Sequence, residues 1–168
     1  EMTHAPDGPW YYQQIELGFN YRMTEMQAAL GVSQMQRLDA FVAERHALVN
    51  RYNQLLAGTN VVTPWQHSDA YSAYHLYIVR VSGGGKDPGH AEAFENLRSG
   101  GVGVNLHYIP VYHQPYYASM GFKHSDFPES QAYYAQAISL PLFPGLTVQE
   151  QDEVVELLRG SAGYQTIF

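Results

Sequence analysis

Asn20 and Arg22 stand two positions apart, just ahead of a segment patterned as a helix, and bring an amide, a guanidinium and the backbone donors of a helix start together. Such a set can hold an anion, because the first N–H groups of a helix lack intrahelical partners and a guanidinium offers forked donors. A phosphate is the natural guest. The same residues also have a plainer reading, in which Asn20 stabilises a turn and Arg22 caps or pairs at the surface. A second group lies at 107–117, where His107, Tyr108, His113, Tyr116 and Tyr117 crowd a proline-containing run. These rings can hydrogen-bond or stack on a ligand, or they can pack together and satisfy the polar groups of their own loop. Gly83-Gly84-Gly85-Lys86 is a weaker candidate, since Asp87 follows where a phosphate-binding loop needs serine or threonine, and a turn into a helix explains it. Among the 8 histidines there is no His-Glu-x-x-His pair, and no carboxylate triad lies near His107 or His113, so no metal centre is expected.

The elements that would position these groups follow from periodicity. Between 24 and 57 the residues Met26, Leu30, Leu38, Phe41, Val42, Leu48, Val49, Tyr52, Leu55 and Leu56 recur at helical spacing, which predicts one long amphipathic helix. Thr24 with Gln27 signs its start as a capping box, and Gly58 supplies the stop. At 1.5 Å per residue it would reach roughly 50 Å, so part of it should meet a neighbouring domain or subunit. Residues 75–81, with Leu76, Ile78, Val79 and Val81, read as a strand. Asp87 and Pro88 open a short helix carrying Ala91, Phe94 and Leu97, which Gly100 and Gly101 stop. Residues 102–109 read as a second strand and the run to His124 as a surface loop. A helix over 128–136 precedes a third strand at 138–142. A last helix opens at Thr147 with Glu150, carries Val148, Val154, Val155 and Leu158 inward, and stops at Gly160. In this pattern Tyr74 and His75 are strand and core residues rather than ligands. Strands alternating with helices on a small sheet make an α+β domain braced by the long helix.

Composition narrows the function classes. The 168 residues, 45% hydrophobic, suffice for one core. Nine basic against 16 acidic residues give a net charge of -7, which disfavours a nucleic-acid partner. There is no apolar run of membrane-spanning length and no signal-peptide pattern, so no membrane partner is expected. With 0 cysteines there is neither a disulfide framework nor a thiolate site, which fits a cytoplasmic protein. Glu1 is not an initiator methionine, and residues 1–14 lack periodicity, so an excised piece of a longer protein is expected.

The segment GFNYRMTEMQAALG (18–31) is similar to the characteristic sequence of the DegT/DnrJ/StrS family of sugar aminotransferases. The resemblance continues in order through RLD (37–39), Arg51-Tyr52, YHLYIV (74–79), VNLHYIPV (104–111), QPYY (114–117) and AISLPLFPGLT (137–147), and so covers nearly the whole chain. It implies the C-terminal small domain of a fold type I transferase dependent on pyridoxal 5'-phosphate, with a small, mainly antiparallel sheet, flanking helices and a long bracing helix. Residues 1–23 would be a remnant of the large domain carrying the cofactor-phosphate motif, 24–160 the long helix plus the small domain, and 161–168 a fraying tail.

By the same resemblance Asn20 and Arg22 bind the cofactor phosphate, Asn20 reaching across to the partner subunit's cofactor, with Arg22 assisting there or at the substrate's phosphates. His107 and Tyr108 border the nucleotide-sugar site. The wording around His107 and Gln114 is closest to the branch that aminates C4 of a UDP-4-keto-6-deoxy sugar on the route to pseudaminic acid. The implied parent is a cytoplasmic homodimer with shared sites, taking an amino group from a donor such as L-glutamate. The lysine that binds the cofactor covalently belongs upstream of the motif, and neither Lys86 nor Lys123 matches it. This chain alone is therefore expected to be inactive, with no catalytic residue of its own. Two rivals stay open, a free-standing nucleotide-sugar or interaction module and a family dehydratase whose lysine is replaced. Residues upstream of Glu1 would separate the three.

Overall fold

The computed structural model describes residues 3, 5, 9, 13–19, 21–82 and 89–160. Two units emerge, Glu1–Arg37 and Leu38–Phe168. In the first, helix α1 runs over Glu25–Met35. Its capping box is reciprocal: the Gln27 N–H donates to Thr24 Oγ1 at 3.3 Å, and the Thr24 N–H donates to Gln27 Oε1 at 2.9 Å. Met26, Leu30, Val32 and Met35 are all exposed, and α1 has no buried residue.

The second unit begins with α2, Leu38–Leu55. The single helix expected over 24–57 is thus two. The Arg37 N–H donates to Gln34 O at 3.0 Å, three residues back, which tightens the turn and interrupts the ladder before Leu38. Helices in proteins persist mainly through packing of their apolar face. Val49 and Tyr52 of α2 are buried, whereas α1 has no buried residue. Gly58, at φ 74°, ends the segment in the left-handed conformation that glycine adopts without penalty.

Three antiparallel strands follow in the order β1 (Val61–Val62), β2 (Tyr77–Val81) and β3 (Ala137–Leu140). Val61 pairs with Val81, Tyr77 with Leu140, and Arg80 with Ala137. Alternation along β2 buries Tyr77, Val79 and Val81, whereas all four residues of β3 are buried. Helices α3 (His90–Ser99) and α6 (Val148–Leu158) pack together and add Ala93, Leu97, Val154, Val155 and Leu158 to the core. The Tyr52 and Tyr77 rings stack at 5.0 Å, and each phenol has a partner, Pro141 O for Tyr52 and Asn53 Oδ1 for Tyr77. Burying an aliphatic side chain such as Leu97 or Ile138 contributes about 1.5–3 kcal/mol.

The outcome is the expected α+β class with a small antiparallel sheet, and local expectations fail at identifiable places. The strand expected over 102–109 is reduced to one bridge between Asn105 and Ser139. Asn105 Oδ1 accepts from the Leu106 N–H at 2.8 Å, so the side chain takes a donor that a ladder would use. The run to His124 is not bare loop. It holds a 3₁₀ turn at Val111–His113, helix α4 (Pro115–Ala118) and a second 3₁₀ turn at His124–Asp126, followed by α5 (Pro128–Tyr134). Asp87 and Pro88 lie outside the described residues, and Gly89 is the N-cap of α3. Val148, expected inward, is 61% exposed, because the buried stripe of α6 starts a turn later at Gln151, whose amide donates to Leu48 O.

Candidate functional site

Asn20 lies outside the described residues. Arg22 is exposed, two positions ahead of the cap at Thr24. The cap changes what this helix end can offer an anion. Its reciprocal bonds engage the N–H groups of Thr24 and Gln27, and Glu25 places a carboxylate in the first turn.

His107 and Tyr108 belong to the other unit, and the structure brings them together. Their peptide is cis, and their rings meet edge-on at 4.6 Å. Tyr108 is 72% exposed. His107 is half-buried and tied down, with its Nδ1 2.7 Å from the Ser139 hydroxyl. The Ser139 N–H donates to Asn105 O at 2.9 Å, so one residue of β3 grips the loop twice, once through its backbone and once through its side chain. The pair is a fixed imidazole beside a freer phenol, suited to hydrogen-bonding and stacking on a polar ligand.

His113 has a different set of partners. His113 stacks on His124 at 3.9 Å and meets Tyr134 edge-on, while the Gln131 amide bridges the Tyr112 hydroxyl and His113 Nε2. Neighbours that strip its water, and then the charge of His124, hold the His113 imidazole below its ordinary value. Tyr112 stacks on Phe127, and with Val111, Tyr117, Met120 and Phe122 these rings line an open cavity of about 360 Å³. Its lining is mainly aromatic and apolar, as suits packing among these rings.

Residues 3–159 match the DegT/DnrJ/EryC1/StrS aminotransferase family. The chain belongs to that family. It is 34% identical over 161 residues to the spore coat polysaccharide biosynthesis protein SpsC of Bacillus subtilis, an alignment covering 93% of this chain and 41% of SpsC. Among solved structures it resembles the putative sugar aminotransferase Spr1654 of Streptococcus pneumoniae in its PMP form, at TM-score 0.77 and 28% identity, covering 90% of this chain and 38% of that one. PseC of Helicobacter pylori, an aminotransferase of pseudaminic acid biosynthesis, matches at TM-score 0.72 over 92% of this chain and 41% of its own, but at 18% identity it shows the fold alone. The chain thus spans about two fifths of the length of these relatives.

All four candidate residues of this DegT/DnrJ/EryC1/StrS chain fall inside the matched range. Ser139 was missed in the sequence because a lone serine in the apolar run AISLPL carries no sign of a partner 32 positions away. Arg45 was missed as well. Its Nη1 donates to the carbonyls of Tyr74, His75 and Leu142 at 3.0, 3.3 and 3.0 Å, tying α2 to the segments entering β2 and leaving β3.

Proposed function

We propose that this chain is the C-terminal part of a pyridoxal-5'-phosphate-dependent aminotransferase that transfers an amino group, from L-glutamate, to a nucleotide-linked 4-keto-6-deoxy sugar. The observation that carries the reading is the likeness, along nearly the whole chain, to Spr1654, solved in both PLP and PMP forms at TM-score 0.77. The pseudaminic-acid branch is favoured by the wording HYIPV and QPYY around His107 and Gln114. In this reading the full-length enzyme is a cytoplasmic homodimer with shared sites. The exposed Met26, Leu30, Val32 and Met35 of α1 meet the remainder of the enzyme, a burial that an apolar stripe of this kind favours.

The donors at hand fit the phosphate end of the cofactor. Asn20 supplies a neutral amide and Arg22 a fixed positive charge, a set matched to a phosphate dianion. When bound, the cofactor supplies an electron sink for the carbon at which the amino group is exchanged. The chain's own residues bind and orient. Asn20 and Arg22 hold the phosphate, His107 offers a fixed ring nitrogen to the sugar nucleotide, and Tyr108 borders the same site. Neither Lys86 nor Lys123 stands where the covalent attachment is expected, so that lysine belongs to the part of the enzyme outside this chain.

The experiment is made on the full-length enzyme. Losing one hydrogen bond to a charged group costs about 1.5–3 kcal/mol, so Asn20→Ala should weaken cofactor affinity roughly ten- to a hundredfold, with the Thr24–Gln27 cap intact. Mixing Asn20→Ala subunits with subunits lacking the cofactor lysine should restore part of the activity, because some heterodimers then carry one site with both residues intact. No rescue after demonstrated subunit exchange would refute the cross-subunit contact, and unchanged cofactor affinity would refute the phosphate role.

A further inference from the structure

We propose that Ser139 is a positioning residue for His107. Its hydroxyl donates to Nδ1 and holds the ring as the Nε2–H tautomer, so that His107 meets the sugar nucleotide as a hydrogen-bond donor aimed at an acceptor oxygen. The substrate half of this inference rests on the function proposed above, and the tautomer half stands on geometry.

Ser139 is 6% exposed and sits on β3, in register with Ile78 of β2, so its hydroxyl is presented from a strand held on both faces. His107 Nδ1, at 2.7 Å, is its only side-chain hydrogen-bond partner among the described residues. A buried hydroxyl proton needs an acceptor. Were Nδ1 protonated, it would donate to the serine oxygen and leave the serine's own proton without one. The arrangement that satisfies both groups has Ser139 donating and Nδ1 accepting. In a neutral imidazole the proton is then on Nε2, because the bond made by one ring nitrogen sets the state of the other. Among the described residues nothing bonds Nε2, which in this tautomer can donate once to a ligand. A donor suits phosphate, carbonyl and ring oxygens. The opposite tautomer would set a lone pair against them. The second grip of Ser139, its N–H on Asn105 O, keeps the His107 loop at the distance this bond needs.

The test uses the chain with ¹⁵N-labelled histidine, His107→Gln assigning the signal and the ring-nitrogen shifts of the neutral imidazole reporting where the proton resides. The wild type should show Nε2–H in clear excess. Ser139→Ala should move the tautomer ratio about fivefold toward Nδ1–H, the equivalent of one ordinary hydrogen bond of about 1 kcal/mol. Ser139→Thr, which keeps the hydroxyl on a residue suited to strands, should restore it. Amide spectra matching the wild type confirm that each variant is folded. A wild-type ring protonated on Nδ1 would overturn the proposal, as would an unchanged ratio in folded Ser139→Ala or a folded Ser139→Thr that behaves like alanine. The substrate half is read separately, with UDP-N-acetylglucosamine as probe on the full-length enzyme, where Ser139→Ala should weaken binding about fivefold. A tautomer shift without that weakening would overturn the placement of His107 beside the sugar nucleotide while supporting the Ser139 lock. An absence of binding to the wild type would overturn the sugar-nucleotide reading alone.

Discussion

Gly100 and Gly101 look interchangeable in the sequence, as a double stop for α3, yet the structure needs each for a different reason. Gly100 has φ −77°, a value any residue adopts, but a Cβ there would lie 2.4 Å from Leu157 Cδ1 and 2.7 Å from Cδ2. Carbon atoms in good contact stand about 3.5–4.0 Å apart, so Gly100→Ala forces Leu157 to turn away from the α3–α6 seam. Overpacking of this kind costs about 1–3 kcal/mol, and the middle of that range is expected because the nearest obstacle is the end of a movable side chain, with the Asn96 carbonyl oxygen next at 3.2 Å. For a chain of this size about 2 kcal/mol corresponds to a melting shift of roughly 4–8 °C. Gly101, at φ +81° with open space around its missing Cβ, is needed for conformation instead. Gly101→Ala should cost about 1–2 kcal/mol through the left-handed backbone. The assay is urea unfolding of the chain followed by circular dichroism, with Leu157→Ala combined with each glycine variant. Gly100→Ala should cost at least about 1 kcal/mol less in the Leu157→Ala background than in the wild type, a coupling expected of residues in contact. Gly101→Ala should be additive with Leu157→Ala. A Gly100→Ala chain within about 0.5 kcal/mol of wild type, or additivity at Gly100, would refute the steric account.

Three further outcomes are expected. Arg45→Met keeps the aliphatic stem but removes a nitrogen whose two hydrogens serve three carbonyls, so it should destabilise the chain by about 2 kcal/mol in urea unfolding, and a loss below about 0.5 kcal/mol would dismiss the clamp. The His113 value is depressed in the fold, so below the ordinary histidine value of about 6.5 the unfolded chain binds more protons, and stability is lost as pH falls from there toward the folded value. Urea midpoints at pH 5 and pH 8 should therefore differ less for His113→Gln than for the wild type, and equal differences would remove His113 from the account. Finally, borohydride treatment of the chain with pyridoxal 5'-phosphate should give no stoichiometric, site-specific adduct on Lys86 or Lys123, as read by peptide mass. An adduct accompanied by turnover would overturn the view that the cofactor lysine lies outside this chain.

What could be read from the sequence is what local chemistry specifies. The capping boxes at Thr24–Gln27 and Thr147–Glu150 were legible because donor and acceptor sit three residues apart and need no tertiary partner. Gly58 was legible for the same reason. The break at Gln36–Arg37 was not, because the apolar spacing runs through it, and whether a helix persists depends on what its face meets. The failed strand at 102–109 shows the same limit, since its β-branched residues were visible but the diversion of the Leu106 N–H by Asn105 was not.

The candidate site divides along that line. Physics alone left Asn20 and Arg22 open between a turn and an anion site suited to phosphate, and the family resemblance favoured the anion site and implied the cofactor's phosphate. His107 and Tyr108 were singled out by the family resemblance, whereas residue type alone did not distinguish His107 from His113. The structure separates the two histidines by their partners. His113 stacks on His124 and meets Tyr134 of α5, with its Nε2 engaged by Gln131, whereas His107 is tied through Nδ1 to the sheet and its Nε2 has no bond among the described residues. That difference depends on contacts with Gln131, 18 residues away, and Ser139, 32 residues away. A ring whose one nitrogen is fixed by a strand and whose other is available suits recognition, whereas a ring satisfied by its own loop suits packing. On this ground His107, rather than His113, is the histidine to mutate first.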